Sequence, residues 1–273
     1  MVDLRSLFPI VAVGAAYAIG LRRIWATAGP GRLVRPRQAW CFFGGLAVTA
    51  VALSSPVDSA AHRSFTAHMV QHVVLLSVAG PLLALGAPLP TLLWVATGGR
   101  RQAALRLWRR LSNSHTRPGW YVWAIGSVVL STAVMWAWHI PRLYQGALTN
   151  DALHGLEHLT FVSVAAWQWW ALAGGHPARR GPAVLVVFIA AFPATALGAG
   201  LLLAPRPWYP DYIRSTAVSA LSDQQMAGVV MWAFGGLIYV VAAAALIYTW
   251  LNLGHADEPP VHPLPFPRLK EVR

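Results

Sequence analysis

His68-Met69-Val70-Gln71-His72 opens an apolar run that continues to Leu85. His154-Gly155-Leu156-Glu157-His158 opens another, which continues to Leu172. Both stretches read H-x-x-(Q/E)-H. Residues four apart lie one above the other on one face of a helix, with Cβ atoms about 5–6 Å apart. Each stretch therefore aims two imidazoles in one direction, at the mouth of a long apolar segment.

The apolar runs set the class of fold. Of 273 residues, 56% are hydrophobic and 11% are charged, against about 25% charged in ordinary soluble domains. A soluble fold of this size could not hide that much apolar surface. The runs have the length that crosses the ~30 Å hydrocarbon core of a bilayer. The expectation is an all-α, polytopic membrane helix bundle with seven transmembrane helices, near 7–24, 38–53, 66–85, 120–138, 152–172, 182–203 and 224–250. One domain, 1–253, is followed by a proline-rich cytoplasmic tail, 254–273. The third span meets Gly80-Pro81, so a kink or break is expected in its inner half. Thr149 or Asn150 caps the fifth span. Ser222-x-x-Gln225 has the form of a capping box for the seventh. Trp25, Trp94, Trp120, Trp138 and Trp250 fall near span ends and read as interfacial anchors.

The formal charge is +12. It sits in short loops between apolar blocks, so topology explains it better than nucleic acid does. Arg100–Leu111 reads as a short basic helix on the membrane surface. Cys41 is the single cysteine, which excludes an internal disulfide or a Cys-x-x-Cys metal site. Arg22 and Arg23 follow the first apolar run, the wrong order for a secretory leader. Sixteen of the 21 Lys and Arg fall on one side of the seven-span map, in the first, third and fifth loops and the tail. That places the N-terminus outside and the C-terminus in the cytoplasm.

On this map His115, His176, His255 and His262 fall on the cytoplasmic side, in loops or the tail. His62, His68, His72, His139, His154 and His158 fall on the outer side. Neutral imidazole is a common ligand for zinc and copper, and thioether sulfur suits copper(I). Met69 and Met135 lie at the same depth as the histidines, as do Asp58 and the group Asp223-Gln224-Gln225-Met226. The candidate metal ligands are His68, His72, His139, His154 and His158. Gln71, Glu157 and Asp223 are candidate partners for the second imidazole nitrogens, with Met135 and Met226 auxiliary. Histidines in membrane helices also serve simply as hydrogen-bonding packing residues, and Met135 alone fits core filling better than ligation.

These residues also resemble the CtaG family of cytochrome c oxidase assembly factors, the multi-span type associated with caa-type oxidases. The likeness is carried by H-M-x-Q-H at 68–72, G-P-L-L-x-L-G-A-P at 80–88 and Trp138-His139-Ile140-Pro141 with Leu143-Tyr144. Leu153-His154-x-Leu156-Glu157-His158-x-x-Phe161 and Asp223-Gln224-Gln225-Met226-Ala227-Gly228 complete it. The resemblance implies a multi-pass protein of the bacterial plasma membrane, needed for oxidase assembly at a step concerning its copper centres. It implies apo cytochrome c oxidase subunits as partners, with copper-import or copper-chaperone proteins and membrane lipid besides, and no nucleic acid. Copper is the expected cofactor, and the role is not enzymatic.

Two other functions stay open on the residues alone. His154-x-x-Glu157-His158 spells the H-x-x-E-H of inverted zinc metallohydrolases, with Glu157 as base and Asp223 as a further ligand. Against it, the twin stretch carries Gln71, which cannot act as a base. The third possibility is haem held between histidines of two facing spans.

Overall fold

The computed structural model describes residues 4–54, 56–104, 106, 120–173, 180–209 and 219–254. Helix is the regular structure among the described residues, and they contain no strand. In chain order the helices are α1 (Leu4–Ala28), α2 (Pro36–Ala52), α3 (Val57–Ala61) and α4 (Phe65–Val74). A π turn (Leu75–Ala79) joins α4 to α5 (Gly80–Leu85), and α6 (Pro88–Leu93) follows. Then come α7 (Trp120–Trp138), α8 (Pro141–Thr149), α9 (Asp151–Ala173), α10 (Arg180–Leu203) and α11 (Ala220–Gly254).

Among the described residues, five helical segments are long and apolar enough to cross a membrane: Leu7–Ala28, Phe65–Leu85, Trp120–Trp138, Gly181–Leu203 and Ala220–Asn252. Helices also stand where the second and fifth spans are expected. However, α2 has only 17 residues, and α9 carries Asp151, His154, Glu157, His158 and Gln168 along its length.

Phe65–Leu85 is the axis of the bundle. Half of its most apolar window is buried, against 22–33% for the other four. Its first part, α4, packs on α11, while α5 packs on α2 and α9. The expected kink at Gly80-Pro81 takes the form of the π turn. Proline lacks an N–H, and its ring crowds the carbonyl four residues back. The wider turn relieves that crowding without ending the helix. The Trp169 indole N–H donates to the Leu76 carbonyl at 3.2 Å, satisfying a group inside the turn. A Cβ on Gly80 would lie 2.6 Å from the Ala165 Cβ, so only glycine lets α5 and α9 come this close. Gly198 and Gly228 do the same for α10 and α11: a Cβ on either would meet the other's carbonyl oxygen at 2.9 or 2.6 Å.

Several local expectations change. The cap of α11 is Ser219, whose Oγ accepts from the Ser222 N–H at 3.2 Å, three residues ahead of the expected box. The cap of α9 is Asn150, one of the two residues expected there, whose Oδ1 accepts from the N–H groups of Ala152 and Leu153. Trp120 and Trp138 are buried rather than interfacial. Their indoles donate to the Ala171 carbonyl and the Thr160 hydroxyl, tying both ends of α7 to α9. Of the expected basic helix, residues 100–104 and 106 are helical, and Arg101 lies over the Trp94 ring at 4.7 Å. The remainder of that helix, residues 105 and 107–111, lies outside the described residues. So do His115, His176, His255, His262 and the tail from 255.

Candidate metal centre

The starts of α4, α9 and α11 and the ends of α2, α7 and α10 meet at one end of the bundle. Arg22, Arg23, Arg32, Arg35 and Arg37 lie at the other, where Arg23 donates to the carbonyls of Trp94 and Val95. The histidine end is built by capping. Ser64 accepts from the Ala67 N–H to begin α4. Asp223, in the first turn of α11, accepts from the N–H groups of Phe65 and Thr66 at 2.7 and 3.1 Å. It also accepts from the hydroxyls of Ser64 and Thr66 at 2.9 and 2.6 Å. A carboxylate at a helix N-terminus is favoured by the helix dipole as well as by these bonds. Gln224 accepts from the Trp208 N–H and donates to the Leu201 carbonyl, fixing the turn after α10.

These caps bring the two H-x-x-(Q/E)-H stretches face to face. His68, His72, His154, Glu157 and His158 are all buried. One ligand atom each from His68, His154, Glu157 and His158 lies within 4.8 Å of the other three. His72 stands against the same group: its Nε2 is 2.9 Å from His68 Nε2 and 3.5 Å from a Glu157 oxygen. The second Glu157 oxygen is 3.9 Å from His68 Nε2.

The polar atoms here are poorly satisfied. His154 Nε2, His158 Nε2, His72 Nδ1 and both Glu157 oxygens are buried without a hydrogen-bond partner. An unpaired buried carboxylate is among the costliest features a fold can carry. A cation held between the imidazoles and the carboxylate would satisfy nitrogen lone pairs and oxygens together. The donor set, three imidazoles and one carboxylate, suits a first-row transition ion such as copper(II) or zinc.

His139 stands next to this group. Its ring centroid is 6.2 Å from that of His72. The Nδ1–H donates to the Met135 carbonyl at 2.7 Å, because a carbonyl can only accept. The Nε2 lone pair is therefore free to face the Met69 sulfur, 3.3 Å away and fully buried. A nitrogen and a thioether side by side, neither carrying a hydrogen, form a soft donor pair.

Aromatic side chains cover the group. Tyr144 of α8 lies 5.1 Å from the His68 ring, and Tyr144, Phe65 and Tyr209 pack on one another. The Tyr209 hydroxyl donates to the His139 carbonyl at 2.6 Å. Burial, and secondarily the Glu157 carboxylate, push that hydroxyl well above its ordinary range, so it remains a donor. Phe161 closes the inner side at 4.6 Å from His72.

The structure redistributes the expected supporting residues. Glu157 stands among the candidate ligands, not behind them. The Gln71 amide donates to the Ala52 carbonyl at 2.8 Å and reaches Asp58 at 3.4 Å, so its contacts run towards α2 and α3. Asp223 is engaged in capping α4. Met135 contributes its backbone carbonyl, while its side chain packs in the core. Met226 is 55% exposed and stands apart from the group. Two features were not legible from spacing: the Met69–His139 pair, and the approach of Asp58 and His62 to His154.

The family model of the cytochrome c oxidase caa3 assembly factor matches residues 15–252. The chain belongs to this family. Uncharacterized proteins of Mycobacterium bovis and Mycobacterium tuberculosis are each 26% identical to it over 258 residues, 88% of this chain and 37% of theirs. One of Mycobacterium leprae is 24% identical, over 90% of this chain and 38% of its own. The chain thus spans little more than a third of the length of these relatives. No solved structure matches it.

Proposed function

We propose that this assembly factor holds copper at the histidine end of the bundle and passes it to an apo-subunit of cytochrome c oxidase. His68, His154, Glu157 and His158 would hold the ion, with His72 alongside and the Met69–His139 pair as a further soft donor pair beside them. The observation that carries this is the set of four buried ligand atoms within 4.8 Å of one another, most of them with no other partner. Family membership supplies the oxidase. The buried sulfur beside His139 favours copper over zinc. The arginine asymmetry favours a seven-span bundle in the bacterial plasma membrane, with the N-terminus and the histidine end outside and the C-terminus in the cytoplasm. Copper-import or copper-chaperone proteins would then deliver from the outer side.

Metal analysis of the full chain purified in detergent tests this. About one copper per chain is expected, lost in both His154→Ala and His158→Ala with the helical circular dichroism unchanged. Copper-free protein after loading, with normal oxidase maturation in cells carrying either variant, would sink it.

A zinc hydrolase built on His154, Glu157 and His158 is favoured by one observation, their convergence with His68. The carboxylate expected to complete that site, Asp223, is occupied elsewhere. Zinc-dependent turnover abolished by Glu157→Gln would carry that second function. The imidazole centroids, 4.3 to 6.3 Å apart, pack directly on one another and favour an ion over a haem.

A further inference from the structure

A second group of donors lies on the open side of the buried one. Asp58 and His62 sit four residues apart at the two ends of the short helix α3, with His62 Nε2 3.7 Å from Asp58 Oδ2. Both are about one-third exposed: 34% for Asp58 and 37% for His62. The His62 ring packs against that of His154 at 5.0 Å between centroids. One ligand atom each from Asp58, His62 and His154 lies within 4.8 Å of the other two. His154 is buried and its Nε2 has no hydrogen-bond partner. This residue therefore belongs to both groups, the half-exposed one and the sealed one.

Elsewhere the buried group is closed. Tyr144 packs on His68, and Phe161 lies beneath His72. Gln71 steadies the open side, donating to the Ala52 carbonyl and reaching Asp58 Oδ1. A carboxylate and two imidazoles match a hydrated divalent transition ion, which arrives with oxygen ligands and prefers nitrogen.

We infer that Asp58, His62 and His154 form a surface loading site through which a divalent copper ion enters the buried centre, with His154 as the ligand common to both. This rests on the metal-holding function proposed above. The ion is bound first by the Asp58 oxygen and the His62 and His154 nitrogens. Bonds to His68, Glu157 and His158 then form as those to Asp58 and His62 break. Each new bond uses a lone pair of the receiving nitrogen or oxygen, the Glu157 proton leaves with water displaced from the ion, and no electron changes hands. His154 stays bound through the exchange or turns over once. The ion never crosses the site without a protein ligand.

Two measurements on the full chain in detergent test this, with copper(II) as the probe. Stopped-flow loading is expected to slow roughly tenfold in His62→Ala and in the Asp58→Asn, His62→Ala pair. The final stoichiometry is expected to equal that of the unaltered chain. Loading at the unaltered rate would overturn the inference and leave the buried centre standing. In His158→Ala, which disables that centre, electron paramagnetic resonance is expected to show a weaker copper(II) site with nitrogen coupling. That signal should vanish when His62→Ala is added. A signal indifferent to His62 overturns the inference. A chain that retains no copper at the buried centre, yet shows the His62-dependent signal, would overturn the proposed function and support the loading site.

Discussion

The two H-x-x-(Q/E)-H stretches share one spacing and diverge between the histidines, most tellingly at the residue before the second one. Gln71 and Glu157 hold the same place, three residues after the first histidine and one before the second. On α4 the Gln71 amide turns to the Ala52 carbonyl and Asp58, fastening the central helix to its neighbours. On α9 the Glu157 carboxylate turns inward, between His68 and His72. A neutral amide can donate, so it can bind a helix-end carbonyl. A carboxylate only accepts, and finds its partners among groups that carry protons or a metal. Identical spacing therefore yields a fastening on one helix and a ligand position on the other. Helical periodicity says which residues share a face but not what that face meets.

Substitutions can break this contrast, and the largest effect is expected at Glu157. Glu157→Gln gives the α9 stretch the same polar residue as the α4 one and removes the carboxylate of the buried group. Copper affinity should fall by about 100-fold or more, since this residue stands closer than the outer partners whose loss costs about 10–100-fold; a chelator competition titration measures it. Unchanged affinity would return Glu157 to a packing role. Next comes Gly80→Val, which forces α5 from α9 and so separates the two stretches. Overpacking of this kind costs about 1–3 kcal/mol. The expected signs are a lower midpoint of thermal unfolding and weaker copper binding together.

Gln71→Leu sharpens the comparison from the other side. It leaves the Ala52 carbonyl without its donor, at a cost of about 1–3 kcal/mol. The unfolding midpoint should drop while copper affinity stays within a few-fold of the unaltered chain. A collapse in affinity instead would make Gln71 an orienting residue for His68 or His72. The smallest effect is expected at Tyr209→Phe. It removes one hydrogen bond to the His139 carbonyl, worth about 1 kcal/mol, and a shift of a few degrees in denaturation would register it.

Much of this was legible from the chain, and the limits have physical causes. Composition and run length located a helix at each of seven places, because a bilayer demands length and apolarity. Among the described residues five pass on both counts, since α2 is short and α9 spends its first half on His154, Glu157 and His158. Lys and Arg placement put the helix-borne histidines at one end, and the structure brings them together there. Depth, however, carries no azimuth. Which way each helix turns is decided by contacts such as Gly80 against Ala165 and Asp223 against the start of α4. Asp223 read as a partner for the imidazole nitrogens because a carboxylate at the right depth fits two roles, and the N–H groups at the start of α4 claim it. His62 had depth but no helical partner in the sequence, because α3 has five residues, too few for a periodic pattern.

The π turn at Leu75–Ala79 has one more consequence. Such a turn holds one residue beyond an α turn, so it advances the chain by about 100° of helical phase. The halves on either side are thus set to different compass bearings, α4 towards α11 and α5 towards α2 and α9. Deleting a single residue there would remove the surplus step and bring Pro81 back against the carbonyl four residues before it. One half would then point astray: either the histidines turn from Glu157, or Gly80 turns from Ala165. The central span is two helices with incompatible headings, joined without a gap by one surplus residue.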